Sequence, residues 1–138
     1  MTKQELKEYY WIKRNIDKLE RRLEELNAVA MRNTTKIKKD ADAIVSHGGI
    51  SDRVGNAVAE METITREIKN QIIRSYEVLI KIENAIEKLP AREAYLIRAR
   101  YVELQSWEKI AVDMNYSWKQ IHRIHSDALQ ELAKDDTQ

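Results

Sequence analysis

The chain has 138 residues, 24 Lys/Arg against 23 Asp/Glu, 43% hydrophobic residues, three Gly, one Pro and no Cys. That length holds one compact domain or a small domain carried on an extended element, and so little Gly and Pro beside 34% charged residues favours helices with broad solvated faces over sheet. Without Cys there is no disulfide, thiol catalysis or Cys-bound metal, and no apolar run nears the roughly 20 residues that cross a bilayer, so a cytoplasmic protein off the membrane is expected.

From about residue 3 to 30, apolar side chains recur at Tyr9, Ile12, Ile16, Leu19, Leu23, Leu26 and Ala30. The alternating steps of three and four are the seam of a coiled coil, and such a stripe needs a partner. Residues 31–51 break the pattern. Gly48-Gly49 reads as a breaker, a short helical turn is expected around Lys36–Val45, and "RNTTKIKK" (Arg32–Lys39) is either a basic arm or a solvated connector. Ser51 or Asp52 caps a second seam, Val54, Val58, Met61, Thr65, Ile68, Ile72, Ser75, Leu79, Ile82, Ile86 and Leu89, which Pro90 stops. The expected all-α organisation is therefore a coiled-coil rod or hairpin over 1–89 (helix 3–30, connector 31–51, helix 52–89) and a helical domain over 90–138. The second seam outruns the first, which leaves part of it for another subunit; a homodimer through 1–89 is expected.

The last third carries three shorter helical periods. "AREAYLIRARYVE" puts Ala94, Ile97 and Tyr101 on one side; Ser106 caps a helix whose inward positions are Trp107, Ile110, Ala111 and Met114. Ser117 caps a third, with Gln120 completing a capping box and Ile121, Ile124, Ala128, Leu129 and Leu132 facing inward. Two helices joined by about three residues make a helix-turn-helix, whose second helix can present its leading face to a DNA major groove. The outward positions Trp118, Lys119, Gln120, His122 and Arg123 are candidates for base contact, since Gln matches an adenine edge and Arg or Lys a guanine edge. Ser117 with the free N–H groups of the first turn, and Lys109, Arg100 and Arg98, are candidates for phosphate contact. No acid lies between Ser117 and Ser126.

Each candidate has a plainer reading. Lys119, Gln120 and Arg123 make an ordinary solvated face; Trp118 either stacks on DNA or covers Met114. Arg100 either meets a phosphate or pairs with Glu93 or Glu103. Trp107 and His125 read as core. His122 and His125, three apart, lack a third ligand, so no metal is expected. No nucleophile–base pair, Gly-rich phosphate loop or carboxylate dyad is present, so neither an enzyme nor a cofactor is expected.

"LPAREAYLIRARY" followed by "SWEKIAVDMNYSWKQIHRIHSDALQEL" resembles region 4 of sigma-70-type factors. The residues that carry the likeness are Leu89, Pro90, Arg92, Glu93, Arg100, Tyr101, Ile110, Ala111, Ser117, Ile121, Ile124, Ala128, Leu129 and Leu132. With the coiled region and "GGISDRVGNAV" ahead of it, the chain also resembles phage and prophage late-gene regulators of the ArpU and RinA kind. The resemblance implies a sequence-specific regulator that binds double-stranded promoter DNA and contacts RNA polymerase. Trp118 and His122 stand where sigma factors often carry Arg, and no promoter-melting region is present. Two alternatives are a module that docks on RNA polymerase without reading DNA, which the net charge of +1 favours, and a DNA-packaging protein like a small terminase subunit.

Overall fold

Both seams fold as long helices, α1 over Lys3–Lys39 and α2 over Gly48–Ile86. Three shorter ones follow: α3 (Ala91–Ile97), extended by a π-helical turn at Arg98–Val102, α4 (Trp107–Met114) and α5 (Trp118–Lys134). The computed structural model describes the backbone of residues 1–39 and 48–134, with the side chains there except at 34–39 and 48–51. Among the described residues the fold is all-α, with no strand.

The long helices differ from their expected bounds at three ends. α1 runs nine residues past the expected end at residue 30, because the Asn33-Thr34-Thr35 stretch costs only about 0.5 kcal/mol per residue relative to Ala. α2 opens at Gly48, so the glycine pair begins the helix instead of breaking it; Gly is tolerated where a helix starts. It ends at Ile86, where Lys88 and Leu89 donate to the carbonyls of Ala85 and Ile86 in a tighter turn ahead of Pro90. Residues 40–47 of the connector, which hold much of the helical turn expected around Lys36–Val45, and the side chains of the basic stretch from 34 onward lie outside the described residues.

The chain divides into two compact units, Arg14–Ile72 and Met1–Lys13 with Ile73–Gln138. In the first, Leu26, Ala30, Ala57 and Ile64 form the buried cluster, with Leu19, Leu23, Met61 and Ile68 packed against it. Arg22 donates to Glu60 at 3.1 and 3.2 Å across this antiparallel pair, an exposed contact that solvent screens and that adds little. The inward line of α2 departs from the expected seam here. Ala57 and Ile64 are buried, whereas Val58 and Ile72 stay 41% and 38% exposed and Thr65 faces water. A line stepping 3.5 residues drifts about 20° per heptad on an undistorted α-helix. Four heptads back from Ile86 the drift nears one residue, which exchanges Val58 for Ala57.

In the second unit, one cluster joins Leu6 of α1, Ile82 and Ile86 of α2, Leu89, Ile97, Tyr101, and Ala128 and Leu132 of α5. A second cluster, Leu96, Ala99, Ile110, Ile121 and Ile124, ties α3, α4 and α5 together. The ends of both long helices thus share a core with the C-terminal helices. Arg74 and Glu8 pair at 2.6 Å on the surface, and Ile73, Tyr76 and Ile80 of α2 remain 50%, 61% and 61% exposed.

Leu6 is fully buried beside Ile82 and Leu132. Leu6→Ala is expected to destabilise the C-terminal helices by about 2–5 kcal/mol. Urea unfolding followed by Trp107 and Trp118 fluorescence, in a Trp11→Phe background, checks it; an unchanged midpoint would show that α1 adds nothing to that core.

Candidate nucleic-acid interface

The site begins at two helix starts. Ser106 Oγ accepts from Lys109 N at 3.2 Å and opens α4. α4 closes at Asn115, which takes the left-handed conformation (φ 56°), while Asn115 N and Tyr116 N donate back to the carbonyls of Val112 and Ala111. This pair of bonds is a Schellman ending, and Tyr116 packs against the apolar cluster beneath it. Ser117 then starts α5: its Oγ accepts from Gln120 N at 3.2 Å, and its N–H donates to Gln120 Oε1 at 2.9 Å. The expected capping box is present.

Ile121, Ile124, Ala128 and Leu132 of α5 are buried, which turns the other side of the helix outward. Lys119, Gln120 and Arg123 are exposed, and Trp118 is 56% exposed. Ser117 and Lys109 are exposed as well, Ser117 at the start of α5 and Lys109 on α4. Three candidates stand differently. Gln120 is engaged in the cap through Oε1, which leaves its Nε2 donors. The His122 ring lies against Trp107 (4.9 Å between centroids) and Trp118 (4.3 Å), with Nε2 buried and unpartnered. Arg98 is held by Glu83 at 3.0 Å, and this hydrogen bond raises its pKa.

Arg100 makes neither of the ion pairs considered from the sequence. Its Nη1 donates to Gln105 O at 2.9 Å, and its guanidinium covers the Trp107 ring at 4.6 Å. The π-helical turn produces this placement. Glu103 N bonds Arg98 O, Gln105 N reaches Ala99 O, and Leu104 follows at φ 58°. Sequence periodicity gave no sign of that turn, because one extra residue in a helix leaves no motif.

Beneath the outward face, the Tyr101 hydroxyl and His125 Nε2 lie 2.7 Å apart. His125 is 6% exposed, and its pKa is lowered to about 4, first by burial and then by the positive charges of Lys3, His122, Arg100 and Lys7. Burial raises the Tyr101 pKa, so a protonated phenol faces a neutral imidazole, and the tautomer of the ring sets which of the two donates. Among the described residues no cluster of three or more His, Asp or Glu is placed to hold a metal. Nor is any helix there long and apolar enough to cross a membrane.

Three helices, a three-residue corner and a basic outward face define a helix-turn-helix domain of the DNA-binding class. Residues 85–134 match the family model for sigma-70, region 4. That family is regulatory and DNA-binding, not enzymatic. No curated protein and no solved structure matches the chain.

His125 sets a pH limit. Its folded-state value lies below the unfolded 6.5, so the stability of the neutral ring is complete above about pH 6.5 and falls as pH drops toward about 4. That gap corresponds to about 3 kcal/mol. Melting curves of the wild type and His125→Gln across this window are expected to diverge at high pH and converge at low pH. Parallel curves would assign the acid sensitivity to carboxylates.

Proposed function

We propose that the protein is a sequence-specific regulator of transcription that lays α5 in the DNA major groove. The observation that carries this reading is the exposed leading end of α5, basic and free of acids, beside a short corner within a sigma-70 region 4 match. Lys119 and Arg123 reach guanine edges, Trp118 packs on a thymine methyl or sugar, and Gln120 offers Nε2 to a base acceptor while its oxygen keeps the cap. His122 supports Trp118 from behind. Phosphates fall to Ser117 and Lys109; Arg98 joins only by leaving Glu83, and Arg100, tied to Gln105 O over the Trp107 ring, is not used.

One reading helix with two cations binds weakly alone, so two copies are needed. Pairing through 1–89 supplies the missing affinity by effective concentration, and exposed Ile73, Tyr76 and Ile80 offer apolar area for it. The likeness to phage and prophage late regulators supports a role at late-gene promoters, with RNA polymerase as the second partner. The competing reading, docking on the polymerase without base contacts, draws its support from the net charge of +1.

Arg123→Ala is expected to cost about 1–3 kcal/mol on the preferred site and to relax base preference at one position. Lys109→Ala should weaken all sequences alike and flatten the salt slope by about 0.9. Selection of binding sites from random duplexes, then anisotropy titrations at several salt concentrations, measures both. The same affinity for every duplex with no salt dependence would leave the polymerase-docking reading standing. A mass in solution of twice the 16.3 kDa chain is expected from sedimentation.

A further inference from the structure

A cleft of about 470 Å³ lies in the second unit, between the start of α1 and the turn that joins α3 to α4. Its size falls within the range of small-molecule sites, roughly 300–1,000 Å³. Lys3, Lys7 and Arg100 line it together with Tyr10, Trp11 and Trp107, and no carboxylate does. Lys3 and Lys7 stand one helical turn apart on the same side of α1, a like-charged arrangement that disfavours an isolated helix. Neither pairs with an acid among the described residues. Their combined charge reaches His125, whose protonation both oppose.

The aromatic half of the cleft is as distinctive. Trp11 is 60% exposed and braced edge-on by Tyr10 at 5.0 Å, so a large flat apolar surface faces water beside the cations. Trp107 is already covered by Arg100, which is tied to Gln105 O. The open ring is therefore that of Trp11. Leu104, at φ 58°, fixes the course of the backbone along the far wall. A ligand that satisfies both halves carries concentrated negative charge and, a few ångströms away, a planar π-system. Simple anions use only the lysines; neutral aromatics use only the indole.

We propose that this cleft binds a nucleotide, with its phosphates on Lys3, Lys7 and Arg100 and its base stacked on Trp11. Stacking on an indole tolerates any base, because every base has a π-face, and the phosphates supply the rest. The same chemistry is available from a free nucleotide or from an unpaired base in a DNA strand. The site is separate from the reading face of α5 and does not rest on the major-groove reading.

Calorimetric titration of the full chain with ATP, GTP, inorganic pyrophosphate and an oligothymidylate tests it. ATP or GTP is expected to bind at least tenfold more tightly than pyrophosphate. Lys3→Ala/Lys7→Ala should weaken nucleotide binding by about tenfold or more. Trp11→Leu should weaken the nucleotides and leave pyrophosphate unchanged. All three positions are exposed, so the variants fold, which melting curves check. Tighter binding of the oligothymidylate than of ATP, lost in the same variants, identifies a strand as the source. The proposal is overturned if neither ATP nor the oligothymidylate binds, if pyrophosphate binds as well as ATP, or if the variants affect duplex binding alone. Arg123→Ala keeps the two readings apart: it should impair duplex binding and leave the ATP titration unaltered.

Discussion

The corner from Asn115 to Ser117 is the constraint on which the site depends. Its three residues must end one helix, reverse the chain and begin another while every exposed backbone donor finds an acceptor. Asn115 takes a left-handed conformation that few side chains accept without strain, and Ser117 with Gln120 satisfies two orphan N–H groups at once. Because Ile110 and Ile121 are both fully buried on either side of it, the corner has no freedom to roll. The leading side of α5 is outward because its other side is committed.

Charge works the same way, by local commitment. A protein with net charge +1 has little long-range attraction for a polyanion. Yet several acids of this unit are occupied: Glu83 of α2 by Arg98, Glu93 by Arg92, and Asp113 by the Tyr95 hydroxyl. Lys109, Lys119 and Arg123 are left facing solvent. An ion pair at one surface thus sets the sign of another.

Much of this was legible in the sequence, for physical reasons. Capping residues act locally, so Ser106, Ser117 and Gln120 announced the helix starts they make. The inward stripe of α5 emerged as read, since 17 residues are too few for periodicity errors to accumulate. Over the 39 residues of α2 the same arithmetic slipped, and Ala57 replaced Val58. The π-helical turn, the Trp107–His122–Trp118 stack and the meeting of Lys3 and Lys7 with Arg100 are products of tertiary packing. Residues nearly a hundred positions apart leave no spacing to count. His122 shows the limit well: its register on α5 is outward enough to read as a contact, but two indoles enclose it.

The cluster that holds Leu6 also holds Leu132, and the Met1 amine donates to the Leu132 carbonyl at 2.8 Å. During synthesis Leu6 leaves the ribosome well before Leu132 and has no finished niche until α5 has followed. Closing so large a loop carries an entropic cost that grows only slowly with length, about 0.6 kcal/mol per doubling. The delay is therefore one of timing more than of free energy. Until α5 has been made, the apolar stripe at the start of α1 must stay solvated or find temporary cover, and α5 is the helix that completes its shelter.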